Sequence, residues 1–295
     1  MKRAIGIWAS QIRANFFLLA VALVLIGGGL AHDAGSFLWQ PFLLCMLGTI
    51  LVHASVNLFN ELSDYRTGID SRTRRTPFSG GTGNMQAGNT TEPGVRAAAW
   101  GTLLAAAGIG LYLSLRGGWL LVAFIAIGGL VTVFYTTFLA KFALGELFAG
   151  ICLGSMVVTG TYLSITGQVT ARVLLASVPP GILTSLLLFL NEFPDLEADE
   201  WGGRKHLLIL LGRKTAGRFY AVALAVCYGF LFWGILAGWF PALAFLTFLT
   251  LPLALKAAGT ALRHFQDFDR MAAAQGANVG VVLGVDFLMA LAFFL

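Results

Sequence analysis

Long apolar runs alternate with short polar stretches along nearly the whole chain. The runs lie at about 14–32, 38–60, 96–116, 118–139, 143–166, 172–191, 214–236, 239–260 and 275–295. Each is near the roughly 20 residues that a helix needs to cross the hydrocarbon core of a bilayer. The pattern therefore predicts an all-α, polytopic membrane protein of about nine transmembrane helices. Spanning strands are excluded, because an open strand edge in lipid leaves its backbone groups unpaired. A single domain over 1–295 is expected, with no soluble appendage, low-complexity tract or long linker. The opening Met-Lys-Arg before an apolar run has the look of a signal peptide, but the run begins late and no small-residue cleavage site follows. A retained first helix is the expectation.

Composition agrees with the pattern. The chain is 58% hydrophobic and 11% charged, with a mean hydropathy of +0.82, which excludes an ordinary soluble globular domain. When the 19 basic residues are assigned to alternate sides of nine helices, all but Arg116 and Arg172 fall on one side. By the positive-inside rule that side, with the N-terminus, is cytoplasmic. The same rule accounts for the net charge of +5, so no nucleic-acid partner is expected. Cys45, Cys152 and Cys227 all sit in apolar runs without metal-type spacing and read as core residues.

One polar phrase occurs twice in these apolar surroundings. Asn60-Glu61-Leu62-Ser63-Asp64 returns 131 residues later as Asn191-Glu192-Phe193-Pro194-Asp195. An amide and a carboxylate four residues apart share a helix face. More acids follow: Asp70 after the first phrase, Glu197 and Asp199 after the second. On an ideal helix Asn191, Asp195 and Asp199 form one stripe. Pro194 removes the backbone bond to Leu190, so it either kinks that helix or marks its end. Acids clustered at the end of a membrane helix call for a counter-charge, and hard oxygen donors favour Mg2+, which keeps waters and accepts phosphate oxygens. Repeated helix ends of this kind commonly place a site between two halves of a membrane protein.

The flanking loops bring basic groups to the acids. Arg72, Arg74 and Arg75 precede Pro77-Phe78-Ser79-Gly80-Gly81-Thr82-Gly83-Asn84. Arginines and inward-turned backbone N–H groups suit phosphate oxygens; the same residues also suit a flexible loop that sets topology. Arg204, Lys205 and His206 follow the second group of acids. Among other polar residues in apolar runs, His53 either contacts an acceptor substrate or packs as a hydrogen-bonded core residue. Glu146, near Lys141, either starts a helix or binds substrate. Asp286 should face the protein interior.

These residues resemble a known family. Asn60-x3-Asp64-x3-Gly68-x-Asp70 and Asn191-x3-Asp195-x-Glu197-x-Asp199, with Lys205 and Leu211-Gly212, are similar to the two aspartate-rich motifs of the UbiA superfamily of intramembrane prenyltransferases. Phe134-Tyr135-Thr136, Leu144-Gly145-Glu146-Leu147 and Gly160-Thr161-Tyr162 resemble most the 1,4-dihydroxy-2-naphthoate branch of menaquinone biosynthesis. Many members have Asn-Asp where this chain has Asn60-Glu61.

The resemblance implies helices around a central cavity, in a bacterial or archaeal plasma membrane, with the active site at the cytoplasmic face. It implies Mg2+-dependent transfer of a polyprenyl group from an allylic prenyl diphosphate to an aromatic acceptor. Asn60, Asp64, Asn191 and Asp195 would be catalytic. Asp64, Asp70, Asp195 and Asp199 would bind magnesium, and Arg72, Arg74, Arg75 and Lys205 the diphosphate. His53, Tyr135, Lys141, Glu146 and Tyr162 are candidates for the acceptor or carbocation pocket. Two other readings stay open: cyclisation of the prenyl diphosphate without an aromatic acceptor, and a membrane transporter.

Overall fold

The computed structural model describes residues 2–295, and Met1 lies outside the described residues. The regular elements are α1 (Lys2–Gln11), α2 (Phe17–Asp33), α3 (Trp39–Thr67), α4 (Glu92–Phe134), α5 (Gly145–Phe148), α6 (Met156–Thr166), α7 (Ala171–Ala176), α8 (Val178–Asn191), α9 (Leu196–Trp201), α10 (Leu207–Leu236), α11 (Leu251–Arg263) and α12 (Phe268–Phe294). A π-helical stretch, Ala149–Ser155, joins α5 to α6, and a 3-10 stretch, Ala242–Thr250, leads into α11. No strand forms among the described residues.

Helix ends follow their sequence signals. Thr91 caps α4 by accepting the Gly94 N–H, with Pro93 in the first turn. Asp267 caps α12 by accepting the Arg270 N–H at 3.1 Å, so that helix starts at Phe268, earlier than the hydropathy suggested. Gly68 ends α3 in the left-handed conformation.

Among the described residues, eight helical stretches are long and apolar enough to cross a membrane. The difference from the expected nine lies in one run, where 96–116 and 118–139 merge in the 43-residue α4. A straight helix of that length would measure about 65 Å, roughly twice the hydrocarbon thickness. The chain is not straight there. Gly118 has φ 62° and ψ −160°, and a methyl placed on Gly110 would meet the Ile125 side chain at 2.8 Å. Along a straight helix those residues would be about 22 Å apart, so α4 doubles back at Gly118.

That backbone conformation is almost confined to glycine and costs other residues roughly 1–3 kcal/mol. Nothing lies within 4 Å of a Cβ at this position. Gly118→Ala should therefore lose stability through the backbone alone. A lower melting temperature in detergent is the expected measurement, and an unchanged one would contradict the assigned turn.

The core gathers on α2, where Leu23, Val24 and Ile26 have no exposed surface; α12, α6 and α3 pack around it. Asp286, on α12, is fully buried and neither carboxylate oxygen has a hydrogen-bond partner. Large apolar side chains such as Leu115, Trp119, Leu249 and Leu255 face outward, as lipid-facing positions require. An apolar cavity of about 950 Å³ opens between α3, α4, α6 and α8, lined by residues such as Val52, Val56, Leu103, Ile125 and Leu187. Leu104 and Leu130 line it and are also exposed, so its side reaches the lipid-facing surface.

Candidate active site

The two repeated phrases meet at one end of this cavity. Asn60 and Asp64 lie one turn apart on α3, and after Gly68 a short 3-10 turn, Ile69–Ser71, brings Asp70 back toward them. On the other side α8 ends at Asn191, and α9 begins at Leu196. Pro194 marks that break: with no proline N–H available, the Leu190 carbonyl accepts from Phe193 at 3.4 Å. The continuous helical stripe expected for Asn191, Asp195 and Asp199 is thus interrupted, yet all three line the same pocket. Its volume is about 120 Å³, and its lining includes Asn60, Asp64, Asp70, Asn191, Asp195 and Asp199.

Arg204 holds the two halves together. Its Nη1 donates to Asp199 Oδ1 at 2.8 Å, and its Nη2 donates to Asp64 and to Asn60 Oδ1. Thr136 also donates to Asn60 Oδ1, at 3.1 Å. Burial alone would lower the basicity of Arg204, but Asp64 and Asp199 outweigh it and raise the pKa. One guanidinium does not satisfy the whole group. Asp195 Oδ1 and Asn191 Oδ1 are shielded from solvent without a hydrogen-bond partner. Burial, followed by the Asp199 charge, pushes the Asp195 carboxyl well above the ordinary carboxylate range. Asp70 is raised by burial and by Glu61, although Gln86 donates to it at 3.3 Å.

Glu61 does different work from its neighbours. It is buried, and it accepts from Arg13 Nη2 at 2.8 Å, Gln11 Nε2 at 3.3 Å and Thr82 Oγ1 at 2.7 Å. It therefore ties the segment after α1 and the 72–91 loop to α3. In that loop a Cβ on Gly81 would overlap the Asp70 carboxylate, so only glycine lets the backbone approach that acid. Arg13, held at φ 52°, lines both the polar pocket and the apolar cavity. So do Asn60, Phe78, Tyr135, Leu188 and Asn191. A charged chamber and an apolar chamber thus share one wall.

Several expected site residues lie elsewhere. Arg72 stacks on the Trp201 ring at 3.8 Å. Arg74 pairs with Asp269 at 2.8 Å and covers Phe268. Arg75 donates to the Gly80 carbonyl at 3.2 Å. Lys205 and Lys141 are exposed. None of these five lines either chamber, because a long cation in a polar loop is better solvated outside than desolvated beside acids that Arg204 already pairs.

Tyr162 is buried in the main core, not at a chamber wall. Tyr135 does reach the shared wall, and His53 lines the apolar cavity with its ring 5.8 Å from Phe17. Glu146 is buried behind the pocket, where Oε1 accepts the Leu207 N–H at 2.7 Å. Arg13 and Arg204 are the arginine side chains that line the polar pocket, and neither is among the residues expected to bind the diphosphate. Arg204 carried a legible signal five residues after Asp199; Arg13 lies 47 residues before Asn60 with no motif around it.

Comparison with known proteins places this geometry in context. The model of the UbiA prenyltransferase family matches residues 20–279. A 1,4-dihydroxy-2-naphthoate octaprenyltransferase from Bacillus subtilis (strain 168) is 29% identical over 229 residues, covering 73% of this chain and 69% of the relative. Among solved structures, the apo UbiA homologue from Aeropyrum pernix K1 superposes with a TM-score of 0.68 at 17% identity, over 91% of this chain and 97% of that one. A UbiA homologue from Archaeoglobus fulgidus bound to DMAPP and Mg2+ superposes with a TM-score of 0.61 at 14% identity, over 93% and 98% of the two chains.

Proposed function

The chain belongs to the UbiA prenyltransferase family, and on that premise we propose that it transfers a polyprenyl group from an allylic diphosphate to an aromatic quinone precursor of the 1,4-dihydroxy-2-naphthoate type. The observation that carries this reading is the wall shared by the acid-lined pocket and the apolar cavity. A prenyl diphosphate has the same division, a polyanionic head on an apolar tail. The naphthoate acceptor rests on the naphthoate relatives. In this reading α4 contributes two crossings, which makes nine, with the N-terminus and the pocket on the cytoplasmic side.

The donor set fits magnesium. Asp64, Asp70, Asp195 and Asp199 offer hard oxygens, and the orphaned Asp195 Oδ1 has no other use. Bound there, Mg2+ would neutralise charge on the diphosphate leaving group. Arg204 and Arg13 take the diphosphate role expected of Arg72, Arg74, Arg75 and Lys205, as fixed positive charge beside the breaking carbon–oxygen bond. Asn60 and Asn191 orient the head at the shared wall. The Tyr135 ring stands where the allylic cation forms and stabilises it through its face, while the apolar lining excludes water and positions the acceptor ring carbon for attack, that carbon then losing its proton, or its carboxyl group as CO2, to restore the aromatic ring.

The test is diphosphate release by purified protein with Mg2+ and geranylgeranyl diphosphate, with and without 1,4-dihydroxy-2-naphthoate, and product masses. Acceptor-dependent release with a prenylated ring is the expected result. Release without acceptor would favour a cyclase or hydrolase, and activity surviving chelation would refute the metal-assisted reading.

Proton linkage supplies a second test. Asp70 and Asp195 have raised pKa values in the fold, so the folded protein holds protons that the unfolded chain would release. Their stabilising contribution is complete below the ordinary carboxylate pKa and is lost as pH rises through the raised values. Melting temperature in detergent should therefore fall over that window without divalent cations, and millimolar Mg2+ should abolish the fall. A profile unchanged by Mg2+ would contradict the assignment.

A further inference from the structure

At the back of the polar pocket, which Glu192 and His206 also line, three more ligating side chains are buried where separate segments converge. Glu146 lies in α5, Glu192 follows α8, and His206 precedes α10. Their exposures are 5%, 9% and 3%, and one ligand atom from each lies within 4.8 Å of the others. Glu146 Oε1 is used by the Leu207 N–H, but Glu146 Oε2, Glu192 Oε2 and both ring nitrogens of His206 have no hydrogen-bond partner. Among the described residues no lysine or arginine pairs with either glutamate; the nearby Arg204 is committed to Asp64 and Asp199. Two buried carboxylates that face each other without a cation are costly, and a bound cation removes the cost.

The orientation of His206 sharpens this. Its Nδ1 faces Glu192 Oε2 at 3.5 Å, and its Nε2 faces Asp199 Oδ2 at 3.3 Å. A metal-bound histidine characteristically gives one nitrogen to the ion and donates the other N–H to a carboxylate. Here Nδ1 points into the Glu146–Glu192 pair while Nε2 is placed to donate to Asp199.

We propose that Glu146, Glu192 and His206 form a second divalent-cation site, for a first-row transition ion of the Zn2+ or Mn2+ type, linked through His206 to Asp199. The imidazole ligand distinguishes this end of the pocket from the four aspartates that suit magnesium, since nitrogen donors favour transition ions over Mg2+. Ligands about 2.0–2.2 Å from one ion stand no more than about 4.4 Å apart, so a few tenths of an ångström of side-chain movement closes the set. Three protein ligands leave a coordination position for water or an acceptor oxygen. The site does not depend on which aromatic acceptor is used.

The experiment is zinc retention by the full chain in detergent. Protein is equilibrated with Zn2+ in excess Mg2+, gel-filtered and measured by elemental mass spectrometry. Wild type should keep one zinc per chain, and Zn2+ should raise its melting temperature. Glu192→Gln and His206→Gln should each weaken retention at least about tenfold and lose the Zn2+-induced melting shift, while melting without zinc reports whether they are folded. Asp64→Asn should lose diphosphate release yet keep the zinc, which separates this site from the transfer reaction. No retained zinc in wild type, equal retention in Glu192→Gln, or loss of zinc in Asp64→Asn would each overturn the proposal.

Discussion

Asp64→Ala and Asp195→Ala are each expected to reduce diphosphate release by at least about 10²–10³-fold, the range associated with removing one preorganised stabiliser of developing charge. Their effects on stability should differ. Asp64 is buried and paired with Arg204, so its removal leaves that guanidinium with Asp199 and Asn60 and should lower the melting temperature. Asp195 has an orphaned oxygen and a carboxyl that burial disfavours in its charged form. Its loss without Mg2+ should leave stability unchanged or raise it, as expected of a group retained for chemistry at some cost to folding. The pair of measurements is diphosphate release at saturating substrate and melting in detergent without metal. Near-normal turnover in either variant would displace the metal site from these acids.

Arg204→Gln should fail differently. It removes the charge between Asp64 and Asp199, leaving two buried acids without their shared partner, and breaking a buried pair from one side typically costs about 3–5 kcal/mol. Turnover should fall by about 10²–10³-fold as a fixed charge beside the leaving group is lost. A double-mutant cycle separates the two effects: adding Asp199→Asn should restore part of the stability and none of the activity. Arg204→Lys should keep part of the turnover, since charge remains but the fork that reaches both acids does not. Full activity in Arg204→Gln would mean that the arginine is only structural.

The spanning elements were legible because bilayer thickness sets a length that apolar runs must meet. The acids were legible because charge is rare in such runs, so Asp64 and Asp195 stood out against their surroundings. The turn inside α4 falls at Gly118, where the runs 96–116 and 118–139 part, although the helix assignment is continuous across it. The choice among cations was not legible. Arg72, Arg74, Arg75 and Lys205 stand next to the acids in sequence, but spatial reach depends on which side chain the chain path turns inward. Arg204 is turned inward beside His206, whereas its neighbour Lys205 is exposed. Arg13 enters from a distant segment, and contacts between distant segments leave no periodicity to read.

The bonds that Glu61 makes to Arg13, Gln11 and Thr82 have a practical bearing on handling the protein. A fusion partner or surface linkage at the start of the chain is separated from the pocket wall by little more than α1, and would pull on the residues that Glu61 anchors. The last residue, Leu295, is 86% exposed, and its helix runs from the pocket end of the bundle to the opposite end. Affinity handles, fluorophores and immobilisation chemistry therefore belong after Leu295, where mechanical load stays clear of the acid-lined pocket.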